Sequence, residues 1–293
     1  VSEWGHDFRT SYLNLGRILR ELARDARQRP PPILALTGTA SRAILNDMLV
    51  ELNLDSGVPG SVVKPRSFDR PELEFTVKLV EPSEALPTLL GTLRQYLPAQ
   101  FREDLGNFFR ARGAQTKCGI VFCPHVNGEY GVIQVAEEIT KSTGASSLTY
   151  SGSSPKRISW RDWEHRKRQN ADGFRKNQSP LLVSTKAFGM GIDKPNIRYV
   201  VHYGMPGSIE AYYQEAGRAG RDRQSAECVL ILVEYDEERT RRLLSEEASL
   251  SEMRKEREAI SRSASDDISR QLFFHLNSFP GIAEEHDTLR SVL

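Results

Sequence analysis

The sequence predicts an α/β fold built on a mainly parallel sheet, and two observations lead to this prediction. Short, mostly apolar runs of strand length recur along the chain, and polar stretches long enough for a helix separate them. This alternation is typical of strand–helix–strand units, whose strands pair in parallel. The clearest runs are residues 119–122, 147–150, 181–184, 199–202 and 229–232.

An N-terminal segment has a related pattern. The apolar run 33–37 follows several prolines and predicts a strand. A turn at 38–41 and the periodic apolar positions of 44–52 then predict a capped helix. The pattern breaks at 67–71, and residues 72–77 alternate polar with apolar side chains as an extended segment does.

These breaks divide the chain into three parts. Residues 1–70 form an N-terminal unit, residues 71–236 form a complete α/β lobe, and residues 237–293 form a charged helical tail. The stretch 236–265 is dense in Glu, Arg and Ser, which predicts a solvent-facing helix or a mobile arm. Residues 271–276 are again core-like.

Composition leaves the partner open. The net charge of +1 shows no basic surplus of the kind that nucleic-acid binders usually carry. The three cysteines have no CxxC spacing, which argues against a disulfide framework and a four-thiolate zinc site and favours a reducing compartment. No apolar run approaches the roughly 20 residues needed to cross a bilayer. We therefore expect a cytoplasmic protein with no membrane partner.

The strongest motif is the segment 213–222, which reads YQEAGRAGRD. If it is helical, Gln214, Arg218 and Arg221 lie at i, i+4 and i+7, and the two guanidinium groups stand side by side. Two like charges so placed favour an anion between them. Gly217 and Gly220 each cost about 1 kcal/mol of helix propensity relative to alanine, which indicates that the backbone approaches another surface closely. A nucleotide phosphate in a cleft would satisfy both features.

A second motif is the segment 184–195, which reads STKAFGMGIDKP and follows a predicted strand. Gly189 and Gly191 permit close approach of the backbone to a ligand. Open α/β sheets bind ligands beyond the carboxyl ends of their strands, and we place this segment there. Its backbone N–H groups suit a phosphate or a ribose. We therefore expect this segment, including Asp193, to contact a nucleotide.

These two segments, in this order, resemble motifs V and VI of the RecQ family of superfamily 2 helicases. Residues 35–40 resemble motif III, with Gly38 where the family usually has alanine. Residues 119–123 resemble the strand that opens motif IV, and residues 67–71 match the usual junction between the two lobes. The resemblance covers most of residues 1–235. It implies two RecA-like lobes, with residues 1–70 as the later part of the first and residues 71–236 as the complete second.

Residues 2–9, which read SEWGHDFR, are similar to the aromatic-rich loop that follows the DEAH box in this family. The resemblance implies that Trp4, His6, Phe8 and Arg9 sense or bind single-stranded DNA, because aromatic faces stack on bases and arginine meets phosphate. Taken without the family, Trp4 and Phe8 are more typical of a core.

The family resemblance implies an ATP-dependent DNA helicase or translocase that moves 3′ to 5′ on single-stranded or partly duplex DNA. Arg218 and Arg221 would be the transition-state arginines, with Gln214 beside them, and Thr37 and Thr39 would couple hydrolysis to lobe movement. ATP and Mg²⁺ are the implied cofactors. This sequence contains no phosphate loop and no DEAH box. We therefore expect most of the ATP and magnesium site to lie N-terminal to this sequence and this chain alone to be inactive.

Two departures from the family remain. No cysteine follows Cys228, where the family typically has a four-cysteine zinc module, so zinc is not predicted. The stretch 153–170 is basic and contains tryptophans, which indicates either an added strand contact or a solvated loop anchored by buried tryptophans. Residues 101–117 are longer than a minimal connection and have no assigned function.

Other functional classes stay open at this level. A RecQ-like module without unwinding activity could serve as a DNA-binding or regulatory scaffold in a larger complex, and the charged tail offers a surface for protein partners. The aromatic-rich loop disfavours an RNA-directed motor of the same superfamily.

Overall fold

The computed structural model describes residues 14–26, 29, 32–36, 42–63, 69–188, 193–234 and 236–243, and, further on, 245, 249, 251–253, 255, 266–268, 270 and 271. The chain divides into two compact units, Val1–Asp69 and Arg70–Leu293. Unit 1 contains helices α1 (Leu15–Asp25) and α2 (Arg42–Glu51).

Unit 2 consists of strands that alternate with helices. In chain order these are β1 (Leu73–Val80), α3 (Ala85–Gly91), α4 (Leu97–Gln100), α5 (Leu105–Phe108), β2 (Cys118–Phe122), α6 (Val132–Thr143), β3 (Ser147–Tyr150), α7 (Trp160–Arg175), β4 (Leu181–Ser184), β5 (Ile197–Tyr203), α8 (Ile209–Ala216), β6 (Ala226–Val233) and α9 (Glu237–Leu243). A π-helix, Thr92–Tyr96, joins α3 to α4.

In unit 1, α2 confirms the helix predicted over 44–52. The predicted strand over 33–37 is wrong for residues 33–36, which the structure describes, because residues 32–36 have no regular secondary structure. A strand needs a neighbour to receive its backbone hydrogen bonds, and the described part of unit 1 includes no second strand. The guanidinium of Arg20 on α1 donates to Leu52 O just beyond α2, over 3.3 Å.

The predicted parallel sheet is confirmed in unit 2. Six strands pair in the order β1-β6-β5-β2-β4-β3, and every pair is parallel. Helices α3 to α6 pack on one face of the sheet, and helices α7 and α8 pack on the other. Each of the five apolar runs predicted for this lobe lies within one of these strands, and the extended segment 72–77 forms most of β1.

The stretch 101–117 contributes to the core. Phe108 is 1% exposed, and its ring centroid lies 5.3 Å from that of Tyr199 on β5. Phe109 is also buried in the same cluster. The extra length of this connection therefore buries two aromatic side chains against the sheet.

The C-terminal tail returns to the sheet through a pair of acidic residues. Asp266 and Asp267 are both 0% exposed. The carboxylate of Asp267 accepts the backbone N–H of Met205 at 2.8 Å and that of Val233 at 2.7 Å, at the carboxyl ends of β5 and β6. Gly204, at φ +109°, leaves the space that this carboxylate enters, because a Cβ there would lie 3.1 Å from Asp267 Oδ1. These two carboxylates lie just beyond the stretch 236–265, for which the sequence predicts a solvent-facing helix or a mobile arm.

Two arginines complete the docking of the tail. Arg270 pairs with Asp267, and Arg239 on α9 pairs with Asp266. Arg270 also lies 5.1 Å from the ring centroid of Tyr130. The buried carboxylates are thereby paired, as burial of a charge requires.

We predict that Asp267→Ala destabilises unit 2 by about 3 kcal/mol, because it removes the acceptor of the buried Val233 N–H and of the half-buried Met205 N–H, together with the ion pair to Arg270. Chemical denaturation measures this change. Asp172→Ala on α7 is the control, since it removes an exposed pair with Arg175 and should change stability by about 0.5 kcal/mol or less. Equal stability of the two variants would contradict the docking of Asp267.

Candidate functional site

The arginine-rich motif lies on a loop, not on a helix. Helix α8 begins at its cap Ser208, whose Oγ accepts the N–H of Ala211 at 3.1 Å, and it ends at Ala216. The chain then turns at Gly217, and Gly220 adopts φ +61°. The predicted i, i+4, i+7 stripe is therefore wrong for Arg218 and Arg221. Gly217 is the residue at which the helix ends, and Gly220 makes the left-handed turn between the two arginines.

The loop lies at the amino edge of the sheet. The N–H of Gly220 donates to Ile197 O, at the start of β5, over 3.0 Å. The N–H of Ala226, which begins β6, donates to Glu72 O, just before β1, over 2.8 Å. The loop is thus bonded to the first residues of neighbouring strands.

The segment 184–195 does not remain at the carboxyl edge where we expected it. Thr185 is at that edge, because its N–H donates to Tyr150 O at the end of β3 over 3.2 Å. Asp193 belongs to the opposite edge, since it precedes β5 and pairs with Arg221 at 3.0 Å. A parallel strand must be entered from its amino end, so Thr185 and Asp193 lie at opposite edges of the sheet.

Two arginines that the sequence did not single out hold the loop in place. Arg198 on β5 is 6% exposed, pairs with Asp222 and donates to Pro195 O at 2.9 Å and Gln224 O at 3.2 Å. A charged residue inside an otherwise apolar strand was the signal that could have identified it, since a buried charge must be paired.

The second is Arg70, at the start of unit 2. It donates to Ala219 O at 3.0 Å and pairs with Glu72. The hydrogen bond from Arg70 holds the pKa of the Glu72 carboxyl below its usual value. We call Arg70 and Arg198 the arginine clasp, because together they bind both sides of the loop.

Arg218 differs from the arginine clasp. It is 8% exposed, and it makes no side-chain hydrogen bond or ion pair with any residue in the described ranges; its buried Nε is unsatisfied. Burial lowers the pKa of Arg218, and the positive charge of Arg221 lowers it further. The carboxylate of Glu215, which is hydrogen-bonded to His202, opposes this lowering of the Arg218 pKa. An anion would relieve both the burial and the repulsion.

Arg221 is held only weakly. Its partner Asp193 has a side chain 87% exposed, and that of Arg221 is 36% exposed. Ion pairs in water contribute little, about 0–1 kcal/mol. The structure thus pairs Asp193 with Arg221, and the charge of Arg221 acts on the buried Arg218. Arg221 can exchange its partner at small cost. Gln214 lies exposed on the last turn of α8.

Several predicted site residues lie outside the described residues. They are Gly189 and Gly191 of the second motif, and Trp4, His6, Phe8, Arg9, Thr37 and Thr39 of the N-terminal unit.

A buried pair behind the loop was also missed. His202 on β5 and Glu215 on α8 meet at 2.9 Å between Nε2 and Oε2. Burial lowers the pKa of His202, and the hydrogen bond with Glu215 opposes that shift. Phe122 stacks on the imidazole with ring centroids 5.1 Å apart, and Tyr212 meets it edge-on at 4.9 Å. The pair ties the end of α8, from which the arginine loop departs, to the centre of the sheet.

Among the residues that the structure describes, no three His, Cys, Asp or Glu side chains are grouped so as to hold a metal ion. The three cysteines, Cys118, Cys123 and Cys228, are buried thiols. None of the described helices is both long and apolar enough to cross a membrane.

Comparison with known proteins agrees with this geometry. Residues 102–223 match the helicase conserved C-terminal domain. Over 231 residues the chain is 37% identical to the ATP-dependent DNA helicase RecQ of Pasteurella multocida, covering 79% of this chain and 30% of that protein. Over 282 residues it is 35% identical to the protein of the same name from Haemophilus influenzae, covering 95% and 39%. The chain therefore spans about a third of the length of these relatives.

A solved structure of the second DEAD-box helicase domain of Mss116p aligns with a TM-score of 0.43 at 16% identity, over 65% of this chain and 70% of that one. The parallel sheet defines an α/β lobe, and the matched family model identifies it as a helicase C-terminal domain. More narrowly, the chain belongs to the RecQ family of superfamily 2 helicases.

We predict that Arg198→Met lowers the free energy of unfolding by about 2–3 kcal/mol, because Asp222 and two carbonyls lose their donor while the volume is nearly kept. Denaturant titration measures it. Arg223→Met is the matched control, since the side chain of Arg223 is 74% exposed and should contribute about 0.5 kcal/mol or less. A loss for Arg198→Met no greater than for the control would show that the clasp does not hold the loop.

We also predict a pH dependence that originates at His202. Its pKa is lowered in the fold, so the unfolded chain binds a proton first as the pH decreases, and stability falls with pH through the usual histidine range. Unfolding free energy should therefore drop more steeply between about pH 7.5 and about pH 5.5 for the parent than for His202→Gln, which keeps a donor to Glu215. Parallel profiles for parent and variant would contradict this assignment.

Proposed function

We propose that the protein to which this chain belongs is an ATP-dependent DNA helicase or translocase of RecQ type. The observation that carries the proposal is Arg218, a buried guanidinium with no partner in the described ranges, beside Arg221 on a loop clasped to the sheet. The relatives named above as ATP-dependent DNA helicases support the choice of ligand and of reaction.

The fit to a nucleotide rests on charge. An oxyanion placed against the loop would give Arg218 the partner that it lacks and would draw Arg221 from its weak pair with Asp193. Guanidinium groups bind phosphate oxygens through paired hydrogen bonds. ATP, with Mg²⁺, would supply the free energy of phosphoanhydride hydrolysis. We propose that Arg218 and Arg221 stabilise the charge that develops on the phosphate and that Gln214 assists them.

Asp193 has a positioning role in this proposal. Its carboxylate pairs with Arg221 at 3.0 Å and would orient that guanidinium for the phosphate. Gly189 and Gly191, in the same segment, would bring the backbone close to the nucleotide. No metal ligand is proposed from the described part of the chain.

Binding of DNA follows from the family resemblance. We propose that Trp4, His6, Phe8 and Arg9 sense single-stranded DNA and that Thr37 and Thr39 couple the nucleotide to movement. Movement from 3′ to 5′, a cytoplasmic location and protein partners for the charged tail belong to the same proposal. Opening and closing of two lobes around ATP would convert hydrolysis into translocation.

The test is ATP hydrolysis by the full natural protein, with and without single-stranded DNA, for the parent, Arg221→Ala and Arg223→Ala. We expect DNA to stimulate the parent, and Arg221→Ala to lower kcat by about a hundredfold or more, because it removes charge stabilisation from the transition state. Arg223 lies on the same loop and carries the same charge, yet it is exposed and pairs with Glu72 at 3.5 Å. Arg223→Ala should retain the parent kcat within about threefold.

Two results would overturn the proposal. Tight DNA binding without any hydrolysis would identify a scaffold that keeps the fold and lacks the motor. Equal loss of kcat in both variants would show that Arg221 has no special role and that the loop responds only to its total charge.

A further inference from the structure

The first half of α7 carries an exposed surface that the proposed helicase site does not use. We call Trp160, Arg161, His165 and Arg168 the α7 ridge. With Glu164 they line a shallow cleft of about 350 Å³. Trp160 is 58% exposed, whereas its neighbour Trp163 is fully buried and donates Nε1–H to Ser151 O over 3.2 Å. The buried Trp163 thus anchors α7, and Trp160 remains exposed to solvent.

Contacts on one side hold Trp160 in place. The ammonium of Lys167 lies 5.4 Å from the centroid of the Trp160 ring and 5.6 Å from that of Tyr150, and it also pairs with Glu164. Cation–π contacts of this kind restrain an exposed ring. An indole that is both held and exposed is characteristic of a binding surface, because Trp and Arg are the residues most enriched where binding energy concentrates.

The charge of the α7 ridge is not neutralised. Arg161 and Arg168 form no ion pair or hydrogen bond through their side chains with anything in the described ranges. The one carboxylate of the cleft, Glu164, is already paired with Lys167. Positions 161, 165 and 168 are spaced at i, i+4 and i+7, so their side chains share one side of the helix. At 1.5 Å per residue, Arg161 and Arg168 are about 10 Å apart along the axis.

We propose that the α7 ridge binds single-stranded nucleic acid, with a base stacked on Trp160 and the backbone phosphates paired with Arg161 and Arg168. A distance of about 10 Å corresponds to roughly three nucleotides at about 3.4 Å each. The inference rests on the proposed function only for the identity of the strand as DNA. It adds a nucleic-acid contact within unit 2 to the one proposed for the N-terminal loop.

The indole of Trp160 together with Arg161 and Arg168 fits a single strand better than it fits a duplex or an acidic peptide. A duplex offers phosphates to the arginines, but its bases are stacked on one another and leave no face for Trp160. An acidic peptide also satisfies the arginines and leaves the indole without a role. A single strand uses both groups, since its bases are free to stack on an aromatic ring.

The test measures binding of a fluorescent oligothymidylate to the full natural protein by anisotropy, over a series of salt concentrations. The variants are Trp160→Ala, Trp160→Phe, the double variant Arg161→Ala/Arg168→Ala, and Arg175→Ala. Arg175 is the matched control, because it is an exposed arginine on the same helix that pairs with Asp172 at 3.0 Å. All substituted side chains are exposed, and circular dichroism verifies that each variant is folded.

We expect Trp160→Ala to weaken binding by roughly tenfold and Trp160→Phe to keep most of the affinity. The double variant should reduce the slope of log affinity against log salt by about 1.4, which is about 0.7 for each lost phosphate contact. Arg175→Ala should bind as the parent does. Duplex DNA of equal length should bind more weakly and be insensitive to Trp160→Ala.

Failure of the inference is distinguishable from failure of the proposed function. Parent-like affinity in Trp160→Ala and in the double variant overturns the inference, even if DNA stimulates ATP hydrolysis. Competition by polyglutamate at equal charge, with no effect of Trp160→Ala, also overturns it and indicates an acidic protein partner. Loss of strand binding in these variants supports the inference, even if the parent hydrolyses no ATP and the helicase proposal fails.

Discussion

Parallel strand pairing is the constraint on which the rest of unit 2 depends. All strands of the sheet run the same way, so after each one the chain must return from the carboxyl edge to the amino edge before the next can start. This return brings three distant parts of the chain to one edge: the start of β1, the start of β5 and the loop after α8. Arg70 thereby meets Ala219, and Asp193 meets Arg221, although the members of each pair are far apart in sequence. The arginine loop is a product of this topology.

Charge then determines what the loop can do. Buried cations are expensive unless they are paired, and the structure meets this requirement for Arg198 through Asp222 and two carbonyls. Arg218 is equally buried and has no such partner in the described part of the chain. The arginine clasp bonds the loop to the sheet, whereas the Nε of Arg218 on the same loop is unsatisfied within the described residues. A preformed anion site needs this arrangement, because donors already in place lose little entropy when the ligand binds.

The sheet also separates the two proposed binding surfaces. Arg218 and Arg221 belong to the amino edge, as the bond from Gly220 to the first residue of β5 shows. The α7 ridge begins where the chain leaves the carboxyl end of β3, and Trp163 anchors it to Ser151 there. The docked tail occupies a third position, at the carboxyl ends of β5 and β6, through Asp267. Nucleotide and nucleic acid would thus reach unit 2 from opposite edges, joined by rigid strands between them.

Hydrophobic pattern and helix propensity act over a few residues, so the sequence by itself determined the strands, the α/β class and the motifs that mark the family. Prediction from the sequence failed where a structural feature depends on residues that are distant in the chain. The run 33–37 is apolar enough for a strand, yet a strand requires a neighbour that local pattern cannot supply. The burial of Arg198 and the docking of Asp267 each depend on groups more than 20 residues away. Only the tertiary structure decided which charges are paired and which is left for a ligand, because folding alone brings those groups within bonding distance.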